Sequence, residues 1–194
     1  MKIKDLERFY RWQALVYDIS RSLFLFWYER AVSYLNIKQH DSVLDVACGT
    51  WKWIKYLKRR TRYVTWIDYS PSLLAVAKKK YPDWLFIQWD VSTYVYDHKF
   101  NKAICAYSLS MIDEREKTIQ HTRNILTDNG IFVILDFWSN IHEANLLQRM
   151  IAWIISLCSV RHDKDLVWEC KKYFHHVKVH QWLWWYYTII VCHK

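Results

Sequence analysis

The sequence predicts an α/β fold in which one mostly parallel sheet carries helices on both faces. Short apolar runs rich in Val and Ile recur between residues 42 and 137, and sequence typical of helices separates them. Acidic residues also stand at or near the ends of the first three runs, and open α/β sheets bind their ligands at that edge. The same pattern therefore predicts both the fold class and the region of the site.

The first unit is predicted as a strand over residues 42–46, a loop that contains Gly49, and a helix over residues 51–60. In such a unit the loop backbone approaches the ligand closely, and the first turn of the helix offers unpaired N–H groups. Asp45 and the loop that follows it are therefore candidates for ligand binding.

The second unit places an acidic residue where a ribose would lie. A strand over residues 63–67 leads to Asp68, which is 23 positions after Asp45. At about this spacing an acid at the end of the second strand accepts hydrogen bonds from ribose hydroxyls. Ser70 is predicted to cap the next helix and Pro71 to open it, and three lysines at residues 78–80 suit its C-terminus.

The remaining strands complete a seven-stranded sheet. Residues 85–88 form the third predicted strand and lead to Asp90, and the fourth lies within residues 101–108. Asn129 and Gly130 predict a turn into the fifth, residues 131–137. The last two are predicted over residues 177–181 and 186–192. Each Asp taken alone could instead be a turn or cap residue. The three acids together, and not any one of them, therefore support a ligand site.

Residues 43–50, 66–71, 88–91 and 101–108 together resemble the class I S-adenosylmethionine-dependent methyltransferases. The resemblance implies a Rossmann-like seven-stranded sheet whose last strand is antiparallel. It implies an enzyme with S-adenosyl-L-methionine as its cofactor. It also implies that Asp45 orders the first loop near the methionine part, that Asp68 holds the ribose, and that Asp90 with Val91 borders the adenine.

The resemblance also assigns the full set of cofactor contacts, with Tyr107 and Ser108 flanking the methionine side and facing the substrate. No catalytic base is identified from the sequence. The implied contacts are Asp45, Ala47, Cys48, Gly49, Thr50, Asp68, Tyr69, Asp90, Val91, Tyr107 and Ser108.

The chain departs from the family where glycine is expected. The three glycine positions of the first loop hold Ala47, Gly49 and Trp51, and Trp66 and Trp89 stand where the family often has Gly. Average proteins contain about 7% Gly, roughly 14 residues in this length, whereas this chain has 2 Gly and 13 Trp. One hypothesis is that UGA codons read as Gly in the source are written here as Trp. The alternative is a Trp-rich relative with a filled cofactor loop.

Under the first hypothesis, several tryptophans outside the first loop are also candidates for native glycine. The full set of candidates is Trp27, Trp51, Trp53, Trp66, Trp89, Trp182, Trp184 and Trp185.

Two segments outside the core are predicted to select the acceptor. Helices over residues 4–17 and 21–35 resemble the N-terminal region of phosphatidylethanolamine and betaine-lipid N-methyltransferases and of ubiquinone and menaquinone C-methyltransferases. That resemblance makes Tyr10 and Tyr17 candidate substrate contacts, although both could equally pack on the sheet. A helix over residues 145–159 has an apolar face that could cover an oily acceptor or belong to the core.

The chain is predicted to be one domain, with an N-terminal helical cap (residues 1–37), a cofactor-binding core (38–137), and a substrate-side helix with closing strands (138–194). Five cysteines without CxxC spacing and a charged N-terminus favour a cytoplasmic location. No metal site is assigned to His175, His176 and His180, because neither their spacing nor a carboxylate partner supports one.

Three classes of function remain open. The first is an enzyme that methylates a small-molecule or lipid-like acceptor, as in lipid or quinone biosynthesis. The net charge of +9 favours an anionic partner, and peripheral contact with an anionic membrane is included in this prediction, whereas nucleic acid is not expected. The second is an RNA methyltransferase, and the third is a non-catalytic module whose cofactor loop is blocked by Trp51.

Overall fold

One seven-stranded sheet organises the protein, in the order β3-β2-β1-β4-β5-β7-β6. The computed structural model describes residues 25–50, 54–137, 165–181 and 187–194. The strands are β1 (Val43–Val46), β2 (Val64–Asp68), β3 (Phe86–Gln88), β4 (Phe100–Ala106), β5 (Leu126–Phe137), β6 (His176–Gln181) and β7 (Tyr187–His193).

The strand pairing confirms the predicted fold class. Strands β1 to β5 pair in parallel, and β7 runs antiparallel to both β5 and β6. Strand β1 is central: Val43 is the register partner of Val64 on one side and of Lys102 on the other. The strand order reverses between β1 and β4, so this is the switch point at which doubly wound sheets hold a ligand.

Helices cover both faces of the sheet. They are α1 (Leu25–Tyr34), α2 (Ile54–Lys58), α3 (Pro71–Lys80), α4 (Arg115–Ile125) and α5 (Leu166–Tyr173), and a 3-10 turn (Leu109–Met111) follows β4. Helices α1, α2 and α3 contribute Ala31, Leu57 and Leu74 to the core on one face. Helices α4 and α5 contribute Ile119 and Cys170 to the core on the other.

The start of α3 agrees with its predicted signals. Ser70 is the N-cap, and its hydroxyl accepts a hydrogen bond from the backbone N–H of Leu73 at 3.3 Å. Pro71 is the first helical residue, where its missing N–H costs nothing. Helix α5 has an acidic cap instead: the Asp165 side chain accepts from the backbone N–H groups of Val167 and Trp168.

Strand β5 begins five residues earlier than predicted, at Leu126 instead of residue 131. Leu126 pairs with Phe100 and Ile131 with Lys102, so four residues of β5 lie opposite one residue of β4. Asn129 and Gly130 therefore form part of a bulge within the strand, not a turn before it. A Cβ at position 130 would lie 2.8 Å from the carbonyl oxygen of Thr127, and only glycine allows that approach.

Other boundaries shift by one or two residues, as hydrogen-bonded ends commonly do. Helix α2 ends at Lys58 instead of residue 60. The predicted helices over residues 4–17 and 145–159, and the first residues of the helix predicted over 21–35, lie outside the described residues. In the described part of the chain, no helix is both long and apolar enough to cross a bilayer.

A buried ion pair joins the two helices of the second face. Arg115 Nε lies 3.1 Å from Glu169 Oε1 and 3.0 Å from Oε2, and both side chains are about 95% buried. These residues are the first of α4 and the middle of α5. Because each charge is removed from water, each depends on the other for compensation.

Glu169→Ala is expected to lower the free energy of unfolding by about 3–5 kcal/mol, because it leaves the Arg115 guanidinium buried without its counter-ion. Urea denaturation of the purified chain measures this loss. Lys117→Ala is the matched control, since it breaks an exposed pair with Glu114 and should cost less than about 1 kcal/mol. Equal losses of stability in the two variants would show that the buried Arg115–Glu169 pair contributes no more than an exposed pair, and would contradict this prediction.

Candidate functional site

The first acidic residues of the predicted site meet at the carboxyl edge of the central strands. Asp45 is the third residue of β1 and Asp68 the last residue of β2, and both are buried. Burial is the larger cause of the raised pKa of Asp45, and the two carboxylates are close enough for the charge of Asp68 to contribute to it. This edge lies at the switch point of the sheet, where the fold places a ligand.

Asp68 binds the first loop to the second strand. Its Oδ2 accepts a hydrogen bond from the backbone N–H of Gly49 at 2.8 Å, and its Oδ1 accepts one from the N–H of Ser70, also at 2.8 Å. The N–H of Cys48 adds a third link, to the carbonyl of Ile67 at 3.0 Å. The predicted contact of Asp68 with ribose hydroxyls stays a prediction, and the carboxylate would share its oxygens between ribose and loop.

Left-handed backbone conformations cluster around this loop. Ala47 has φ 55° and Gly49 φ 64°, and Tyr107 at the end of β4 has φ 57°. Such conformations are strained for residues other than glycine and concentrate at ligand sites. Ala47 stands at one of the positions where the methyltransferase pattern has Gly. No described atom lies within 4 Å of a Cβ built on Gly49.

Ser108 joins the loop from the other side of β1. Its hydroxyl donates to the carbonyl of Ala47 at 3.3 Å and to that of Ala106 at 3.1 Å. The Tyr107 ring is fully buried and lies 5.6 Å from the Phe137 ring and 5.7 Å from the Tyr187 ring, measured between centroids. Ser108 therefore lies beside the first loop, whereas Tyr107 belongs to an aromatic cluster beneath the site.

Asp45 carries a buried oxygen with no described donor. No described residue donates a hydrogen bond to its Oδ2. Burial raises the pKa of Asp45 well above its ordinary value, and the charge of Asp68 adds to that shift. A carboxylate in this state favours a cation beside it, because a nearby positive charge offsets the loss of hydration.

Tyr28 is a site residue that the sequence did not reveal. This α1 side chain is fully buried, and the pKa of its hydroxyl is raised first by burial and then by the charges of Asp45 and Cys48. The spacing of Tyr28, Ala31 and Leu35 marks the buried face of an amphipathic helix. That periodicity could have predicted burial, but not that the Tyr28 hydroxyl lies close enough to Asp45 for this carboxylate to raise its pKa.

Asp136 is a second residue that the sequence did not single out. Its Oδ2 accepts from the backbone N–H of Ser110, and its Oδ1 accepts from the Ser110 hydroxyl and the N–H of Phe137, each at 2.8 Å. The carboxylate thereby holds the 3-10 turn (Leu109–Met111) at the carboxyl edge of β5. Because this 3-10 turn directly follows Ser108, holding the turn also fixes the position of Ser108.

Asp90 lies in a local turn after β3. Its Oδ1 accepts from the N–H of Ser92 at 2.8 Å and from the Ser92 hydroxyl at 2.7 Å. This bonding matches the turn interpretation of a single Asp, and the predicted contact with adenine stays a prediction. Val91 and Thr50 are buried, and Tyr69 is 51% exposed.

Several predicted residues lie outside the described part of the chain. They are Tyr10, Tyr17, Trp51, Trp53, Trp182, Trp184 and Trp185. Among the described residues, no group of three or more His, Cys, Asp or Glu side chains could hold a metal ion.

Residues 43–130 match the sequence model of a methyltransferase domain family. The chain is 29% identical over 113 residues to demethylmenaquinone methyltransferase of Thermotoga maritima and 31% identical over 121 residues to 2-phytyl-1,4-naphtoquinone methyltransferase of Nostoc punctiforme. Each alignment covers 57% of this chain, and they cover 49% and 53% of the two relatives. A trans-aconitate 2-methyltransferase of Escherichia coli is 24% identical over 123 residues, which cover 61% of this chain and 48% of that relative. The chain spans about half the length of these relatives.

Solved structures share the fold. A chain of the complex between the Haloferax volcanii Trm112 methyltransferase activator and a methyltransferase matches 94% of this chain and 95% of its own length, with TM-score 0.72 and 14% identity. The S-adenosylmethionine-bound amino pentose methyltransferase CalS10 from Micromonospora echinaspora matches 57% of this chain and 48% of its own, with TM-score 0.50 and 20% identity.

The described residues fit an S-adenosylmethionine cofactor. Its methionine half carries an ammonium group, and the buried Oδ2 of Asp45 has no donor among the described residues. Its nucleoside half carries ribose hydroxyls, which can donate to the carboxylate of Asp68. No described atom crowds the Cβ position of Gly49, which is compatible with close approach of the loop backbone to a ligand.

Asp45→Asn is expected to stabilise the chain at neutral pH and to weaken cofactor binding. The folded pKa of Asp45 is raised, so the wild type loses stability as pH rises from the unfolded value of about 3.9 through the folded pKa. The variant does not titrate there and keeps its stability. Thermal unfolding at a series of pH values measures the growing difference.

Asp128→Asn is the control, because it alters an exposed carboxylate in the β5 bulge. If the stability of Asp45→Asn ran parallel to that of the wild type across this pH window, the raised pKa would be contradicted. If calorimetry gave unchanged affinity for S-adenosylmethionine, the assignment of Asp45 to the ammonium group would be contradicted.

Proposed function

We propose, from the premise that residues 43–130 form a class I S-adenosylmethionine-dependent methyltransferase domain, that this chain transfers a methyl group to a small-molecule or lipid-like acceptor. The observation that carries the proposal is the arrangement of Asp45, Asp68 and Ser108 around one loop at the switch point of the sheet. The geometry supports a pocket for a cationic nucleoside, and the relatives support small-molecule acceptors.

The chain's own residues bind and orient the reactants in this proposal. The bound cofactor supplies an activated methyl group on a sulfonium sulfur. Asp68 accepts hydrogen bonds from the ribose, and Asp45 balances the ammonium group. Ser108 and the 3-10 turn held by Asp136 border the pocket on the acceptor side. Methyl transfer mainly requires alignment of the reactants and exclusion of water, and the hydrogen bonds that hold the first loop contribute to alignment.

The named relatives favour an acceptor of the quinol type. Two of them methylate demethylmenaquinone and a phytyl naphthoquinone, and a third methylates trans-aconitate. A quinol ring carbon loses a proton after methylation, so a base would assist that reaction. Asp45 is not assigned to that role, because in this proposal it balances the ammonium group of the cofactor. We propose the quinol class as the first acceptor to test.

We expect methyl transfer from labelled S-adenosylmethionine into a demethylmenaquinone, measured by scintillation counting of an organic extract. Asp68→Asn should lower affinity for the cofactor by about 10-fold or more, because it weakens charge-assisted hydrogen bonds to the ribose. Calorimetry measures that affinity separately from turnover.

Asp128→Asn is the matched control, since it neutralises an exposed carboxylate away from the loop. Labelling of RNA in place of the quinone would favour the RNA methyltransferase alternative. Failure to bind the cofactor at any attainable concentration, with the fold intact, would favour the non-catalytic alternative and contradict the proposal.

We also propose that tryptophans of this chain stand at native glycine positions. The described tryptophans at these positions differ in how deeply they are buried. Trp89 is 55% exposed, so a glycine there would remove few contacts. Trp66 is fully buried and stacks on Trp84 with 5.9 Å between centroids. The positive φ of Ala47 supports a loop built around glycine. Among the described tryptophans, none has a positive φ.

We expect TGA codons at positions 51, 66 and 89 of the gene, and TGG codons there would contradict the hypothesis. The chain with Gly at these three positions should bind S-adenosylmethionine at least about 10-fold more tightly than the chain as printed, because glycine permits close backbone approach. Calorimetry on both proteins measures the difference. Trp168→Gly is the control, since Trp168 is exposed on α5, away from the first loop.

A further inference from the structure

A strongly basic surface lies at the amino edge of the sheet, opposite the candidate site. We define the basic edge as the C-terminal ends of α2 and α3 with the residues that lead into β2 and β3. Residues 54–63 and 76–86 contain eight Lys and Arg and one acidic residue, Asp83. The cations are Lys55, Lys58, Arg59, Arg60, Arg62, Lys78, Lys79 and Lys80.

Aromatic contacts join the two helix ends into one surface. Lys58 of α2 places its Nζ 5.1 Å from the centre of the Trp84 ring. Trp84 stacks on Tyr81, which follows α3, with 4.1 Å between centroids and 8° between planes. The C-terminal ends of α2 and α3, which carry these cations, are therefore neighbours on one side of the molecule.

Two apolar side chains protrude among these cations. Leu85 is 79% exposed and Tyr63 is 59% exposed, and they lead directly into β3 and β2. The parallel register pairs Trp66 with Phe86, so the amino ends of these strands are neighbours. Cations that surround protruding apolar side chains are typical of surfaces that bind the headgroup region of an anionic bilayer.

We propose that the basic edge docks on an anionic phospholipid surface. Nucleic acid fits less well, because the Trp84 ring packs against Tyr81, Trp66 and Lys58 and cannot stack on a base, which leaves Tyr63 as the exposed aromatic ring among the described residues of the basic edge. The aliphatic Leu85 cannot stack either, but it can enter a lipid headgroup layer. Docking through this edge leaves the carboxyl edge, with its cofactor site, facing away from the bilayer, so docking does not by itself bring a membrane-embedded acceptor to that site.

The test is flotation of the full chain with vesicles of phosphatidylglycerol mixed with phosphatidylcholine. We expect binding to these vesicles, no binding to phosphatidylcholine alone, and loss of binding in high salt. Lys78→Glu with Lys79→Glu and Lys80→Glu should weaken vesicle binding by about 10-fold or more, because each cation near the surface contributes. Leu85→Ser should weaken it without changing net charge.

The matched control carries Lys117→Glu, Lys171→Glu and Lys178→Glu, which make the same change in net charge on exposed residues of α4, α5 and β6. Circular dichroism and thermal unfolding establish that each variant is folded. Equal loss in the control and the basic-edge variant would overturn the proposal, as would unchanged binding of the Leu85→Ser variant. Tighter binding to poly(U) than to the vesicles would also overturn it.

Vesicle binding is measured without cofactor or acceptor, so it is independent of the methyltransferase proposal. A chain that binds vesicles but not S-adenosylmethionine would contradict the proposed function alone. A chain that transfers methyl groups but ignores the vesicles would contradict the basic-edge proposal alone.

Discussion

The candidate site depends on the hydrogen bonds that the Asp68 carboxylate accepts. One side chain at the end of β2 accepts from the N–H of Gly49 in the first loop and from the N–H of Ser70 at the cap of α3. It thereby fixes the distance between two strand–helix units at the switch point of the sheet. The same carboxylate is the predicted ribose acceptor, so the architecture and the binding of the ligand rely on the same two oxygens.

Backbone strain and the burial of a charged group are concentrated near this carboxylate. Ala47 and Tyr107 hold left-handed backbone conformations, and Asp45 is buried with a raised pKa and an oxygen that no described donor satisfies. Each feature lowers the stability of the folded chain. A cationic nucleoside in the pocket would offset part of that cost, since a positive charge beside Asp45 favours its ionised form. The arrangement is therefore typical of a site adapted to a ligand and less so of one adapted to stability.

Much of the sheet could be predicted from the sequence, because buried parallel strands require short apolar runs and their carboxyl ends bring Asp45 and Asp68 to one edge. The start of β5 could not, because residues 127–130 carry no apolar pattern and join the strand only through the bulge opposite β4. The roles of Tyr28 and Asp136 were also hidden, because they depend on where α1 and the 3-10 turn cross the sheet. Tertiary packing sets those positions, and local spacing does not report it.

The two edges of the sheet carry opposite charge for a common physical reason. In a strand followed by a helix and a parallel strand, each helix begins at the carboxyl edge and ends at the amino edge. The positive end of the α3 dipole therefore lies near the acidic residues of the site, and its negative end lies near residues 78–80. Acids at one edge and lysines at the other are each stabilised by the same helix. A single topology thus accounts for a pocket that suits a cationic nucleoside and, at the opposite edge, a surface that suits an anionic bilayer.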